Sequence, residues 1–118
     1  MYSVKADVLK NRLEITIAGR LTPEQVAKVG EESTAALAKL RPGFVAAIDL
    51  SEQGVALPED IPILHAFQTK LVAAAPGRVG TLATGIVGSQ VARVGKDLHA
   101  DSILRRFTDR DEWKAYVG

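Results

Sequence analysis

A continuous apolar run in the middle of the chain constrains the fold most strongly. Six of the seven residues in Phe44–Leu50 are apolar, and the exception, Asp49, lies next to the end of the run. A strand with one face in water alternates between apolar and polar residues, whereas an uninterrupted run is typical of a strand buried on both faces. The sequence therefore predicts that this segment is an inner strand of a parallel sheet.

The beginning of the chain has a different periodicity. Apolar and polar residues alternate on both sides of a short polar turn at 10–12. A period of two on either side of such a turn is typical of an antiparallel hairpin with one wetter face. The apolar positions are Tyr2, Val4, Ala6 and Val8 before the turn and Leu13, Ile15 and Ile17 after it.

Predicted helices separate the later strands. Thr22, Pro23 and Gln25 form a capping box that opens a first helix, which ends at Arg41-Pro42-Gly43. A second helix is expected from about Asp60 to Ala75, a third from 87 to 99, and a terminal one after a cap at Asp109 that packs Trp113, Tyr116 and Val117. Two further strands are expected at 78–84 and 103–107, the last at a sheet edge because of its paired arginines.

These elements define one α/β domain over residues 1–118. Their order is ββαβαβαβα, which implies a mixed sheet of about five strands with about four helices, its later strands parallel. Hydrophobic residues make up 47% and charged residues 25% of the chain, so its composition is that of an ordinary globular domain.

Composition also excludes several kinds of site. The chain has no cysteine, so disulfides, thiolate nucleophiles and cysteine metal sites are ruled out. The two histidines, His65 and His99, do not have metal-binding spacing, and neither stands in a recognised catalytic arrangement. We therefore expect no cofactor, no metal and no enzymatic activity.

The charge balance and the absence of targeting segments bear on partners and location. The net charge is +1, split as −2 over residues 1–60 and +3 over residues 61–118, which argues against a dedicated binder of nucleic acid or acidic membranes. The N-terminus lacks the apolar core of a signal peptide, and no apolar run is long enough to span a bilayer. We expect a cytoplasmic protein.

The order of elements, together with three segments of the sequence, resembles a known family. The segments are Ile15–Thr22 at the end of the hairpin, Ile48–Ser51 at the end of the apolar strand, and the closing stretch Phe107–Trp113. On these patterns the chain resembles the STAS superfamily, the sulfate-transporter and anti-sigma-factor-antagonist domains, and most of all its SpoIIAA-like branch. The resemblance covers nearly the whole chain and implies a bacterial-type regulatory module that binds a protein.

One departure from the family matters for regulation. In antagonist members, a serine that opens the second helix is phosphorylated by a partner kinase, which switches partner binding. The corresponding stretch here, 56–62, has no serine or threonine, so this switch is not carried over. Glu59 and Asp60 instead place permanent negative charge at the helix start. They are either ordinary capping residues or a fixed mimic of the phosphorylated state.

Two groups of residues follow strands and are candidates for binding. Asp49 and Ser51 end the apolar strand, where α/β sheets commonly bind ligands; the structural alternative is that Asp49 accepts backbone hydrogen bonds from the next loop. Thr84, Gly85, Gly88 and Ser89 precede a helix and could hold an anion on backbone N–H groups, although the stretch lacks the spacing of known nucleotide-binding loops and could be a plain turn.

Two functions remain after these exclusions. The first is a non-catalytic STAS-like module that docks a protein partner or a second copy of itself. Its surface would combine 51–60, the start of helix two and the turn 84–89, with Asp49, Ser51, Glu59 and Asp60 as contact residues. The alternative is a carrier of a nucleotide, lipid or other anion held near 84–89.

Overall fold

The computed structural model describes residues 2–19, 21–52, 61–83 and 104–118. It contains one mixed sheet whose five strands stand in the same order as in the sequence. The strands are β1 (Tyr2–Asp7), β2 (Arg12–Ala18), β3 (Val45–Glu52), β4 (Arg78–Leu82) and β5 (Leu104–Phe107). Three helices are described: α1 (Pro23–Ala38), α2 (Ile61–Ala73) and α3 (Arg110–Val117). The helix expected at 87–99 lies outside the described residues.

Strand pairing confirms both sheet predictions. β1 and β2 pair antiparallel, with Val4 opposite Ile15, as the period-two pattern indicated. The pairs β2–β3, β3–β4 and β4–β5 are parallel. β3 is therefore the central strand, and β1 and β5 are the edges, as expected for the arginine-bearing last strand.

Side chains alternate across the two faces of β3, and each face has its own core. Ala46, Ile48 and Leu50 belong to the larger cluster, whereas Ala47 belongs to a second cluster on the opposite face. The larger cluster contains buried residues of α1 and α2, and the smaller one contains Trp113 and Val117 of α3. The apolar run is thus continuous because helices cover this strand on both sides.

Helix boundaries follow from local chemistry. The Thr22 hydroxyl accepts from the Gln25 backbone N–H and the Gln25 side chain accepts from the Thr22 N–H, so the predicted capping box is present. α2 begins at Ile61, which places Pro62 in its first turn, where a proline is tolerated. The chain leaves α2 through Ala75, whose φ of 57° lies in the left-handed region.

Because β2, β3, β4 and β5 run in the same direction, the two ends of the sheet are distinct. α3 runs back along the sheet, because its first residue, Arg110, contacts Asp49 late in β3 and the carbonyl of its last residue, Val117, accepts from Arg12 at the start of β2. We call the end where β2, β3, β4 and β5 finish the carboxyl end, and the end where they start the amino end.

Candidate functional site

The carboxyl end of the sheet brings together residues at or near the ends of four strands. Asp49 of β3 stands in register with Thr16 of β2 and with Leu82 of β4. Leu82 in turn pairs with Phe107 at the end of β5. Topology thus places Asp49 at the end where α/β folds commonly bind ligands.

Asp49 is held by a residue that sequence reasoning did not single out. Its Oδ2 atom accepts from Nη1 of Arg110 at 3.1 Å, and 15% of the Asp49 side chain is exposed against 47% for Arg110. The guanidinium of Arg110 also lies 5.8 Å from the centre of the Trp113 ring. This ion pair ties α3 to β3. It gives Asp49 a structural role in joining α3 to β3.

The start of α3 lies beside this ion pair. The Asp109 carboxylate accepts from the backbone N–H groups of Asp111 and Glu112, which confirms the predicted cap. Asp109, Asp111 and Glu112 are all exposed. The carboxyl end therefore presents a cluster of acidic side chains around one arginine.

Among the other predicted site residues, Ser51 alone lies in the part of the chain that the structure describes. Ser51 lies within β3, which runs two residues beyond the expected end, to Glu52. Glu59 and Asp60, and the turn residues Thr84, Gly85, Gly88 and Ser89, lie outside the described residues. Their roles in partner or anion binding stay predictions.

The opposite end of α3 shows an unusually close helix–sheet contact. Trp113 Nε1 donates to the Gly80 carbonyl at 2.9 Å within the buried interface. A Cβ on Gly80 would lie 2.4 Å from Val117 Cγ1 and 3.1 Å from Tyr116 Cδ2. The Tyr116 ring is flanked by Arg78 and Arg105, at 5.9 Å and 5.3 Å from its centre. Only glycine permits this approach.

The environment of Tyr2, at the start of β1, shifts its pKa. Burial, followed by a hydrogen bond and the negative charge of Glu32, raises the pKa of the phenol. The phenol therefore stays protonated at neutral pH. It lies on edge strand β1, which lies on the other side of β2 from β3 and Asp49.

The sheet order, the leading hairpin and the helices on both faces define a hairpin-led α/β domain. Two solved structures share this arrangement. An uncharacterised protein of the DUF3478 family with a SpoIIAA-like fold, from Shewanella loihica, matches 99% of this chain and 94% of its own, with 18% identity and a TM-score of 0.69. An anti-sigma factor antagonist from Mycobacterium paratuberculosis matches with the same coverage, 16% identity and a TM-score of 0.61.

The chain therefore has a SpoIIAA-like fold, as its sequence patterns indicated. No protein-family model and no curated protein sequence matches the chain. In the part of the chain that the structure describes, none of the helices is both long and apolar enough to pass through a bilayer.

We expect the Asp49–Arg110 pair to contribute modestly to stability. Asp49→Asn should lower the free energy of unfolding by about 0.5–1 kcal/mol at low salt, since Arg110 is half exposed and water screens the pair. The loss should shrink as salt is added. Urea unfolding of both single variants and the double variant, with Arg110→Met as the second change, measures the coupling. A coupling of zero would contradict the assigned role.

Proposed function

We propose that this chain is a non-catalytic regulatory module that binds a protein partner through the carboxyl end of its sheet. The observation that carries the proposal is the fold match over 99% of the chain to an anti-sigma factor antagonist. A fold alone does not determine function, so the surface must be argued from this chain's own residues.

The described carboxyl end has the chemistry of a docking surface. The acidic side chains of Asp109, Asp111 and Glu112 are exposed there, beside the Asp49–Arg110 pair. Glu24, also exposed, lies in the first turn of α1, which follows the end of β2. An acidic surface of this kind favours a partner with a basic face, because complementary charge speeds and orients association.

Further acidic residues follow β3 in the sequence. β3 finishes at Glu52, and the segment that follows it contains Glu59 and Asp60 immediately before α2. We propose these two carboxylates as partner contacts, in place of a phosphorylatable serine. Because this negative charge is permanent, binding would not depend on a kinase acting at this position.

Site-specific crosslinking tests the proposal directly. The chain has no cysteine, so a single Glu59→Cys change gives one attachment point for a photo-crosslinker. Glu31→Cys, on an exposed position of α1, is the matched control because it removes the same charge elsewhere. We expect one protein from native lysate to crosslink at position 59 and not at 31, to be identified by mass spectrometry, and to be lost on Asp60→Lys.

Thermal unfolding of each variant checks that the fold is intact. Equal crosslinking at both positions, or crosslinking at position 59 that survives Asp60→Lys, would show that this end of the sheet is not the docking surface.

A further inference from the structure

The turn of the β1–β2 hairpin exposes two apolar side chains. Among the described residues, Val8 and Leu9 are the large hydrophobic residues left exposed, at 51% and 95%. They are consecutive and lie at the tip of the turn. A single exposed apolar residue needs no explanation, but a nearly fully exposed leucine at a projecting turn is a candidate contact point.

Hydrogen bonds join the turn to a neighbouring loop. Asn11, with a left-handed φ of 53°, accepts from the Arg41 backbone N–H at 2.8 Å and donates to the Arg41 carbonyl at 3.1 Å. The Asn11 carbonyl also accepts from Val45 N–H, and Asp7 Oδ1 accepts from Lys10 N–H. The backbone around Leu9 is therefore already ordered, so binding through Leu9 would cost little conformational entropy.

Two loops join this turn at the amino end of the sheet. Gly43 N–H donates to the Ala75 carbonyl at 2.7 Å, and Gly77 N–H donates to the Phe44 carbonyl at 2.8 Å. The hairpin turn 8–11, the loop 39–44 and the segment 74–78 thus form one continuous surface, which we call the amino-end surface. It lies at the opposite end of the sheet from the proposed docking surface.

The charge of the amino-end surface has a single sign. Its three segments contain Lys10, Lys39, Arg41 and Arg78, all exposed, and contain no aspartate or glutamate. The nearest acids lie on adjoining strands: Glu14 is paired with Arg12, whereas the exposed Asp7 accepts from the Lys10 backbone N–H and keeps its negative charge. Among the described residues, four exposed cations therefore lie at this end of the sheet, whereas the exposed carboxylates of Asp109, Asp111 and Glu112 lie at the other.

We propose that the amino-end surface is a peripheral contact with an anionic lipid surface. A protruding apolar residue surrounded by cations is the arrangement that interfacial binding requires: the apolar side chain enters the headgroup–acyl boundary while the cations meet anionic headgroups. A bilayer accepts one projecting leucine without a shaped pocket, whereas a protein partner needs a complementary cavity. Peripheral contact of this kind needs no membrane-spanning helix, and it does not rest on the proposed function.

Vesicle cosedimentation of the whole chain tests the proposal. We expect binding to phosphatidylcholine vesicles that carry roughly 30 mol % phosphatidylserine, weaker binding to phosphatidylcholine alone, and release as salt is raised. Leu9→Ser should reduce binding about tenfold, because it removes the inserted side chain. Lys39→Gln with Arg41→Gln should reduce it roughly 30-fold, at about 1 kcal/mol for each cation.

A matched pair of charges elsewhere serves as control. Lys28, in the first half of α1, and Arg106, in β5, are exposed and outside the amino-end surface. Lys28→Gln with Arg106→Gln removes the same net charge and should leave most of the binding. An equal loss for both pairs would overturn the proposed surface, since only overall charge would then matter.

A fluorophore attached at position 9 would report insertion of the hairpin turn into the membrane. Because the chain has no cysteine, Leu9→Cys can carry one environment-sensitive fluorophore, with Ala35→Cys on an exposed position of α1 as control. We expect a blue shift with anionic vesicles at position 9 and none at 35. Equal shifts, or a chain that stays in the supernatant with every vesicle, would overturn the proposal and leave a protein partner as the occupant.

Discussion

Truncation of Trp113 to alanine is expected to lower the free energy of unfolding by about 3–5 kcal/mol. The indole is 9% exposed and packs with Ala47, Leu82 and Val117 in the smaller core. Its removal leaves a cavity between α3 and the sheet, and the Gly80 carbonyl loses the donor that satisfies it at 2.9 Å. A domain of this size has about 5–15 kcal/mol in total, so the loss is a large fraction of it.

Urea unfolding followed by far-ultraviolet circular dichroism measures this loss, since the variant lacks the only tryptophan as a fluorescent probe. Trp113→Phe is the matched control. It keeps most of the apolar volume but removes the N–H donor, and we expect a loss of about 1–3 kcal/mol. A loss below about 1 kcal/mol for Trp113→Ala would mean that α3 is not an integral part of the fold.

The second large effect is expected at Gly80. Gly80→Ala would bring a methyl group to 2.4 Å from Val117 Cγ1, so α3 must move away from β4 or the strand must shift. Overpacking of this kind typically costs about 1–3 kcal/mol. We expect the upper part of that range, because displacement of α3 also lengthens the Trp113–Gly80 hydrogen bond.

Two comparisons separate this clash from a general effect of replacing glycine. Gly30 lies inside α1 with nothing within 4 Å of an added Cβ, so Gly30→Ala should stabilise the chain by about 0.5–1 kcal/mol. Val117→Ala removes the clashing methyl and should recover part of the loss when combined with Gly80→Ala. Strict additivity of the Gly80 and Val117 changes in urea unfolding would contradict the proposed clash.

Much of the fold was predictable because its signals are local. The alternation on either side of the first turn predicts β1 and β2, since the side chains of a strand repeat every two residues. The turn itself lies at 8–11 and not at the expected 10–12, so Val8 lies outside β1 and Arg12 begins β2. The capping residues Thr22 and Asp109 predict where α1 and α3 begin, because a cap needs only a side chain within reach of the next few N–H groups. The continuous run in β3 predicts helices on both faces.

The candidate site was predicted only in part, because it depends on contacts between residues that are far apart in the sequence. Asp49 was recognised from its place near the end of an apolar strand, but its partner Arg110 lies 61 residues away in the sequence. No pattern within a short window identifies such a pair. Glu59, Asp60 and the turn at 84–89 remain sequence-based proposals.

The amino-acid sequence by itself determined the periodicities, the caps and the strand that must be covered on two faces, because each depends on neighbouring residues. Tertiary structure alone decided which distant residues meet: Gly80 under Trp113, Asn11 bonded to Arg41 30 positions later, and four cations brought to one end. Those contacts depend on the order and direction of the strands, which place segments far apart in the chain within a few ångströms of each other.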